Sequence, residues 1–216
     1  FNYCSSLTSI TIPDGVLRVG SWAFSYCSSL TSIIIPSSVT GIGEYAFFNC
    51  DSITSITVPA NVTNIGEAAF SYCTSMEYID VDINNTKYMS LEGILFSKDK
   101  KILMTYPPQK GSSHYEIPSG VTSIDSSAFS GCNNLTSITI PNGVTNIGIN
   151  AFSGCGSLTS ITIPDGVTSL GESVFQNCSS LISITLPEGI TKIGNNIFRD
   201  CSSLTSITLP NSVKSM

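Results

Sequence analysis

Cysteine spacing sets the strongest constraint on this chain. Cys4, Cys27, Cys50 and Cys73 fall 23 residues apart, and Cys132, Cys155, Cys178 and Cys201 repeat the same interval. The residues between follow one phrase, C-x-S-L-T-S-I-T-I-P-x-G-V-T-x-I-G-x-x-A-F-x-x, seen in "AFSYCSSLTSI" at 23–33 and "AFSGCNNLTSI" at 128–138. A fixed period of 20–29 residues around an L-x-x-I-x-I core describes a leucine-rich-repeat solenoid, in which each coil buries its apolar face only against its neighbours.

Each column of the phrase then has a physical task. Ile10 and Ile12 alternate with Ser9 and Thr11, the period of a strand with one buried face. Stacked copies predict a parallel sheet, closed at each strand end by a proline such as Pro13, which cannot donate to the ladder. Turn dipeptides follow at Asp14–Gly15, Asn142–Gly143 and Asp165–Gly166. A second, shorter extended side comes next, with Val167 and Leu170 inward in its copy. Gly20, Gly43, Gly66, Gly148, Gly171 and Gly194 are expected to need positive φ. A small residue beside a stacked phenylalanine (Phe24, Phe47, Phe70, Phe129, Phe152, Phe175, Phe198) closes the coil. The expected fold is a β-rich solenoid with a parallel sheet on one side, short extended segments on the other and little helix. It spans 1–216 as a single domain of about nine coils.

The pattern I-P-x-x-V-x-x-I-G-x-x-A-F-x-x-C resembles the BspA-like leucine-rich repeat family over nearly the whole chain, with the I-P, I-G, A-F and Cys columns all present. The resemblance implies a right-handed leucine-rich-repeat coil. It also implies a cell-surface or secreted protein of a host-associated bacterium or parasitic protist, with a role in adhesion to extracellular-matrix proteins such as fibronectin and in co-aggregation. The family's variant coil, with its "GxLF" and "YPPxK" elements, has counterparts here at 93–96 and 106–110.

The cysteines admit several uses. Coils about 4.8 Å apart bring successive Cα atoms within disulfide range, but parallel side chains keep Cβ atoms near that spacing rather than the roughly 3.8 Å a bridge prefers. Zinc fits poorly, because no C-x₂-C pair occurs and His114, the only histidine, lies away from the ladder. The reading that fits best makes all eight, Cys4 to Cys201, a structural ladder of small apolar residues inside the coil.

The interval from Cys73 to Cys132 breaks the ruler, and residues 82–113 hold the irregularity. Lys87, Lys98, Lys100, Lys101 and Lys110 lie there, and "GILF" and "KILMTY" flank "SKDK", which predicts a β-hairpin or extra strand pair. Just before it, "MEYIDVD" puts Glu77, Tyr78, Asp80 and Asp82 where other coils carry Thr, Ser, Thr and Pro. These four are expected to face outward and form the candidate binding patch, fit for a cation or a basic peptide. No calcium-loop spacing accompanies them, so no metal site is assigned.

Charged residues make up 11 % of the chain and the net charge is −6, which argues against nucleic acid or an anionic membrane as the main partner. No apolar run is long enough to insert in a bilayer. A nucleophilic triad needs an imidazole beside Ser or Cys, and no catalytic residue or cofactor is assigned. The N-x-S/T matches at Asn61, Asn84, Asn134 and Asn177 follow from the repeat's composition. The chain opens and closes inside a repeat phrase, so it is expected to be a segment of a longer protein whose end coils could self-associate end to end. Two functions stand: a protein-interaction module of a surface or secreted protein, binding a protein ligand such as a matrix protein, or a stalk of spacer coils presenting another domain.

Overall fold

The computed structural model describes residues 1–215. Its contacts separate two compact units, Phe1–Lys100 with Thr105–Lys110, and Lys101–Met104 with the residues from Gly111 onward. Each is a β-solenoid of stacked coils with parallel strands. Among the described residues no helix is long and apolar enough to cross a membrane.

In the first unit, β1 (Arg18–Val19), β2 (Gly41–Ile42) and β4 (Asn64–Ile65) form one parallel side, and β3 (Ser55–Val58) pairs with β5 (Tyr78–Val81) on the other. β6 (Tyr88–Leu91) and β7 (Ile94–Ser97) form an antiparallel pair. In the second unit, β8 (Ile102–Thr105) contributes its first residues to a side shared with β10 (Ser123–Ile124) and β12 (Asn146–Ile147). β9 (His114–Glu116), β11 (Ser137–Thr139), β13 (Ser160–Thr162) and β14 (Ser183–Thr185) make the other. Partners such as Ser55↔Tyr78 and His114↔Ser137 are one 23-residue repeat apart, so the sequence period is the hydrogen-bond register.

The alternation of isoleucine with serine and threonine is what places the core. Ile56 and Val58 are buried and Thr57 is exposed, and Ile161 repeats this between Ser160 and Thr162. After the repeat's Ile-x-Ile segment a proline carbonyl accepts the N–H three residues on, as in Val39→Pro36 (3.0 Å), Val62→Pro59 (3.2 Å) and Val167→Pro164 (3.0 Å), with Asp82 taking the proline's place after β5. That turn sends the next valine back into the core, where all three are fully buried. The closing corner is a run of tight turns whose free N–H groups donate to the next coil: Trp22→Glu44, Phe24→Ala46 and Tyr26→Phe48, at 2.8–2.9 Å. Inside it the phenylalanines stack, Phe24 on Phe47 at 5.5 Å and Phe152 on Phe175 at 5.5 Å. Near-parallel offset rings of this kind contribute about 0.5–1.5 kcal/mol per pair beyond their buried area.

The glycine column works differently from expectation. None of Gly20, Gly43, Gly66, Gly148, Gly171 and Gly194 has positive φ. These glycines lie where one coil's backbone touches the next. A Cβ on Gly43 would stand 2.3 Å from the Ser21 nitrogen, and one on Gly66 2.4 Å from the Glu44 nitrogen. Gly20 has nothing within 4 Å, because no coil of this chain packs on that side. Positive φ falls instead two residues after the glycine, at Trp22, Tyr45, Ala68, Asn150, Ser173 and Asn196, and at Ser127, where Asp125 holds the glycine's place. It recurs just before each cysteine, at Tyr3, Tyr26, Asn49, Tyr72, Gly131, Gly154, Asn177 and Asp200. A side chain with a Cβ costs about 1–2 kcal/mol there, and Asn, Asp and Gly tolerate it best.

Cys27, Cys50, Cys73, Cys132, Cys155, Cys178 and Cys201 are buried free thiols. Each of Cys50, Cys73, Cys155, Cys178 and Cys201 donates its S–H to the carbonyl of the phenylalanine 26 residues earlier, at 3.0–3.2 Å. The Phe24 carbonyl thus accepts the Cys27 N–H within its own coil and the Cys50 thiol from the next. Cysteine suits this column because it fills apolar space and still carries a weak donor. Cys4 departs from the expected ladder: it is exposed, since its coil has no earlier neighbour in this chain. Burial pushes the Cys50 and Cys178 thiols up to about 12, and Cys73 and Cys155 well above the ordinary value.

Two outcomes follow from these contacts. Gly43→Ala is expected to lower unfolding free energy by about 1–3 kcal/mol through backbone overlap, while Gly20→Ala stays within about 0.5 kcal/mol, both read by urea titration. Folding raises the buried thiol pKa values, so their stabilising contribution is complete below pH 9 and is lost as pH climbs from 9.0 towards about 12. Melting temperature across that window should fall, and a chain with Cys50 and Cys178 replaced by alanine should lose less of it.

Candidate interaction surface

Most of the exposed face is occupied by its own hydroxyl ladder. Thr136 Oγ1 donates to the Ser113 carbonyl at 3.0 Å and Thr159 Oγ1 to that of Thr136 at 3.2 Å. Thr31 does the same in the first unit, donating to the Thr8 carbonyl at 3.4 Å. Threonine is used here because its hydroxyl reaches the neighbouring coil. The face is polar and self-satisfied, and one coil looks much like the next.

Strand β5 interrupts this pattern. Glu77, Tyr78, Asp80 and Asp82 are all exposed, Tyr78 by 42 %. Tyr78 lies beside Ser55 and Asp80 beside Thr57 across the parallel ladder. On the other side of β5 no repeat strand follows, and the tip of the β6/β7 hairpin lies against it. Ile79 N–H donates to the Gly93 carbonyl at 2.8 Å, and Ser90 Oγ donates to the Ile79 carbonyl at 2.6 Å. The tip is Glu92–Gly93, with φ of 53° and 80°, the paired positive values of a tight hairpin turn whose twist matches its strands. A Cβ on Gly93 would stand 2.7 Å from Tyr78 Cβ, so glycine lets the turn close against the tyrosine. Lys110 Nζ donates to the Glu92 carbonyl.

The four patch residues are not equivalent. Asp82 Oδ1 accepts the Asn84 backbone N–H at 2.9 Å and its side-chain amide at 3.2 Å. Its carboxylate therefore shapes the chain's departure from the strand. Glu77, Tyr78 and Asp80 remain as outward-facing groups on the sheet. Among the described residues no three His, Cys, Asp or Glu side chains gather closely enough to hold a metal ion. His114 lies exposed on β9 with Nδ1 2.8 Å from Ser137 Oγ, a cross-strand contact one repeat apart.

The BspA-type leucine-rich repeat region matches residues 1–103 and 109–216 in 6 copies. The chain belongs to this family. Solved structures of leucine-rich repeat proteins superpose on it over nearly its whole length. A leucine-rich cell surface protein from Faecalibacterium prausnitzii is 33 % identical with a TM-score of 0.74, covering 96 % of this chain and 61 % of that one. A leucine-rich repeat protein from Eubacterium ventriosum is 27 % identical with a TM-score of 0.74, covering 96 % and 74 %. The pneumococcal vaccine antigen PcpA is 26 % identical with a TM-score of 0.75, covering 95 % and 61 %. The chain thus spans less than two thirds of the first and last of these. No curated protein matches it.

Within this BspA-type chain, the residues that make the variant segment work were not apparent from the repeat. Asn85 is buried to 1 % exposure. Its Nδ2 donates to the Pro59 and Val62 carbonyls at 2.8 and 3.0 Å, and its Oδ1 accepts the Lys87 and Tyr88 N–H groups at 2.8 Å. The Tyr88 hydroxyl accepts the Ile65 N–H at 2.9 Å. With Ser90, these side chains satisfy backbone groups that another regular coil would have paired. The only available signal was Asn85 itself, a polar residue in the column that carries Val16, Val39 and Val62 in earlier coils. Asn85→Ala should cost about 2–3 kcal/mol by leaving several buried groups unpaired, against less than about 0.5 kcal/mol for the exposed neighbour Asn84→Ala, as read by chemical denaturation.

Proposed function

We propose that this chain is a protein-interaction module of a cell-surface or secreted protein, acting in adhesion to host or extracellular-matrix proteins. The observation that carries the reading is strand β5. A face built from repeated Thr and Ser changes there to Glu77, Tyr78 and Asp80 beside an added hairpin. A half-exposed tyrosine between carboxylates is the composition of an interface anchor with a charged rim. The Faecalibacterium relative described as a cell surface protein and the pneumococcal antigen support an extracellular setting. Solenoids of this class bind macromolecules along their extended faces, and catalysis has no candidate constellation here.

A second reading has its own support. The hydroxyl ladder repeats at Thr31, Thr136 and Thr159 and binds its own neighbouring coils, which suits a stalk presenting another domain. Capture of the chain by immobilised matrix proteins separates the two. Glu77→Thr, Tyr78→Ser and Asp80→Thr restore the repeat, whereas Asp82→Pro is avoided because the Asp82 N–H donates to the Val58 carbonyl at 2.9 Å. Binding is expected to fall at least about tenfold, a loss of about 1.4 kcal/mol. If neither the wild-type nor the restored chain binds any matrix protein, the stalk reading replaces this one.

A further inference from the structure

The first unit carries side chains that its corner does not require. The two positive-φ columns are mostly aromatic there, with Trp22 and Tyr45 ahead of Ala68 in one and Tyr3, Tyr26 and Tyr72 around Asn49 in the other. In the second unit the same columns hold Ser127, Asn150, Ser173 and Asn196, and Gly131, Gly154, Asn177 and Asp200. The corner therefore forms without rings, and a bulky side chain is the less favourable choice at each of these backbones.

The rings also form one assembly. Trp22 stacks on Tyr45 at 4.2 Å and Tyr3 on Tyr26 at 4.4 Å. Phe48 stands steeply tilted to Trp22, Tyr26, Tyr45 and Tyr72, with centroids 5.3–6.2 Å away. Its column is serine at Ser130 and Ser153 in the second unit. The cluster stays at the surface, with Trp22 43 % exposed and Tyr26, Tyr45, Phe48 and Tyr72 half-buried.

The charges around it have one sign. Glu44 and Glu67, both exposed, occupy the column beside Trp22 and Tyr45. Together with burial, which acts most strongly, they raise the Tyr45 phenol pKa. Asp51 is engaged by Asn49 at 3.1 Å and Thr74 at 3.0 Å. Arg18 is the one Lys or Arg in residues 1–86, and its guanidinium lies over Gly41 on β2. An aromatic surface with free carboxylates repels phosphate and suits a basic side chain, whose methylene stem packs on rings while its charged head meets carboxylate and π-face.

We propose that this aromatic corner, with Glu44 and Glu67, docks an arginine- or lysine-bearing segment of a partner protein. The proposal rests on the protein-binding reading and adds a contact separate from strand β5. Trp22 is the chain's one tryptophan, so its emission reports occupancy at this surface. Titration with an oligo-arginine peptide should give a saturable, salt-sensitive change in that emission, and an oligo-glutamate peptide or a neutral glucan oligosaccharide should give none. Tyr45→Asn with Tyr72→Asn installs the residues found at Asn150 and Asn177. That variant should melt at or above the wild-type temperature and bind the peptide at least about tenfold more weakly. Glu44→Gln with Glu67→Gln, a change confined to exposed carboxylates, should also weaken binding. The triple β5 change, Glu77→Thr, Tyr78→Ser and Asp80→Thr, should leave the Trp22 titration unaltered while reducing matrix-protein capture, which separates failure of this site from failure of the module. Wild-type affinity in either corner variant, a marked fall in melting temperature of the asparagine variant, an equal response to the glucan, or loss of the Trp22 response in the β5 variant would overturn the proposal.

Discussion

Main-chain contact between successive coils governs the rest of this structure. Strand pairs, corner N–H groups and threonine hydroxyls all reach one repeat along the chain, as in Ser160↔Ser183, Phe47→Ala69 and Thr159→Thr136. Once coils sit at the spacing these bonds demand, little freedom remains elsewhere. Glycine must stand where Gly43 meets Ser21, phenylalanine rings must lie nearly parallel, and a residue as small as cysteine must occupy the column beneath the phenylalanine carbonyl. The apolar columns drive collapse, but the backbone fixes the distance over which they collapse.

This explains which parts of the molecule a single sequence discloses. Ile56, Ile161 and the buried cysteines were readable because burial alternates along a strand and repeats down a column, and both periods are visible in one dimension. The glycine column was also visible, but its cause was misassigned. Positive φ is a property of one residue, whereas the overlap at Gly43 involves a backbone 22 residues earlier. Exposure of Cys4 was hidden for a related reason, because burial of a column member depends on the coil before it. Tyr88 and Ser90 were not legible, and Asn85 only as a polar residue in a valine column. Their partners are backbone atoms of Pro59, Val62, Ile65 and Ile79, which carry no sequence signature.

The patch residues show the same division. Departure of Glu77, Tyr78, Asp80 and Asp82 from the repeat marked them, and exposure of all four agrees with their columns. Their separate parts emerged only in three dimensions, with Asp82 shaping a turn and Tyr78 meeting a hairpin tip. The aromatic corner went unremarked because its meaning lies in a comparison. Tyr45 and Asn150 share a backbone conformation, and only that equivalence shows the ring to be optional for folding.

The variant hairpin has a consequence for assembly of the chain. Interchangeable coils leave the folding protein with near-degenerate alternatives, since sliding by one whole repeat returns isoleucine to isoleucine and cysteine to cysteine. Energy then distinguishes such slipped arrangements mainly at their margins. A segment that plugs Asn85 beneath one particular proline turn and lays Ser90 against one particular strand has no equivalent a repeat away. It serves as an index mark, giving an otherwise translationally symmetric polymer a unique origin from which the stack is counted.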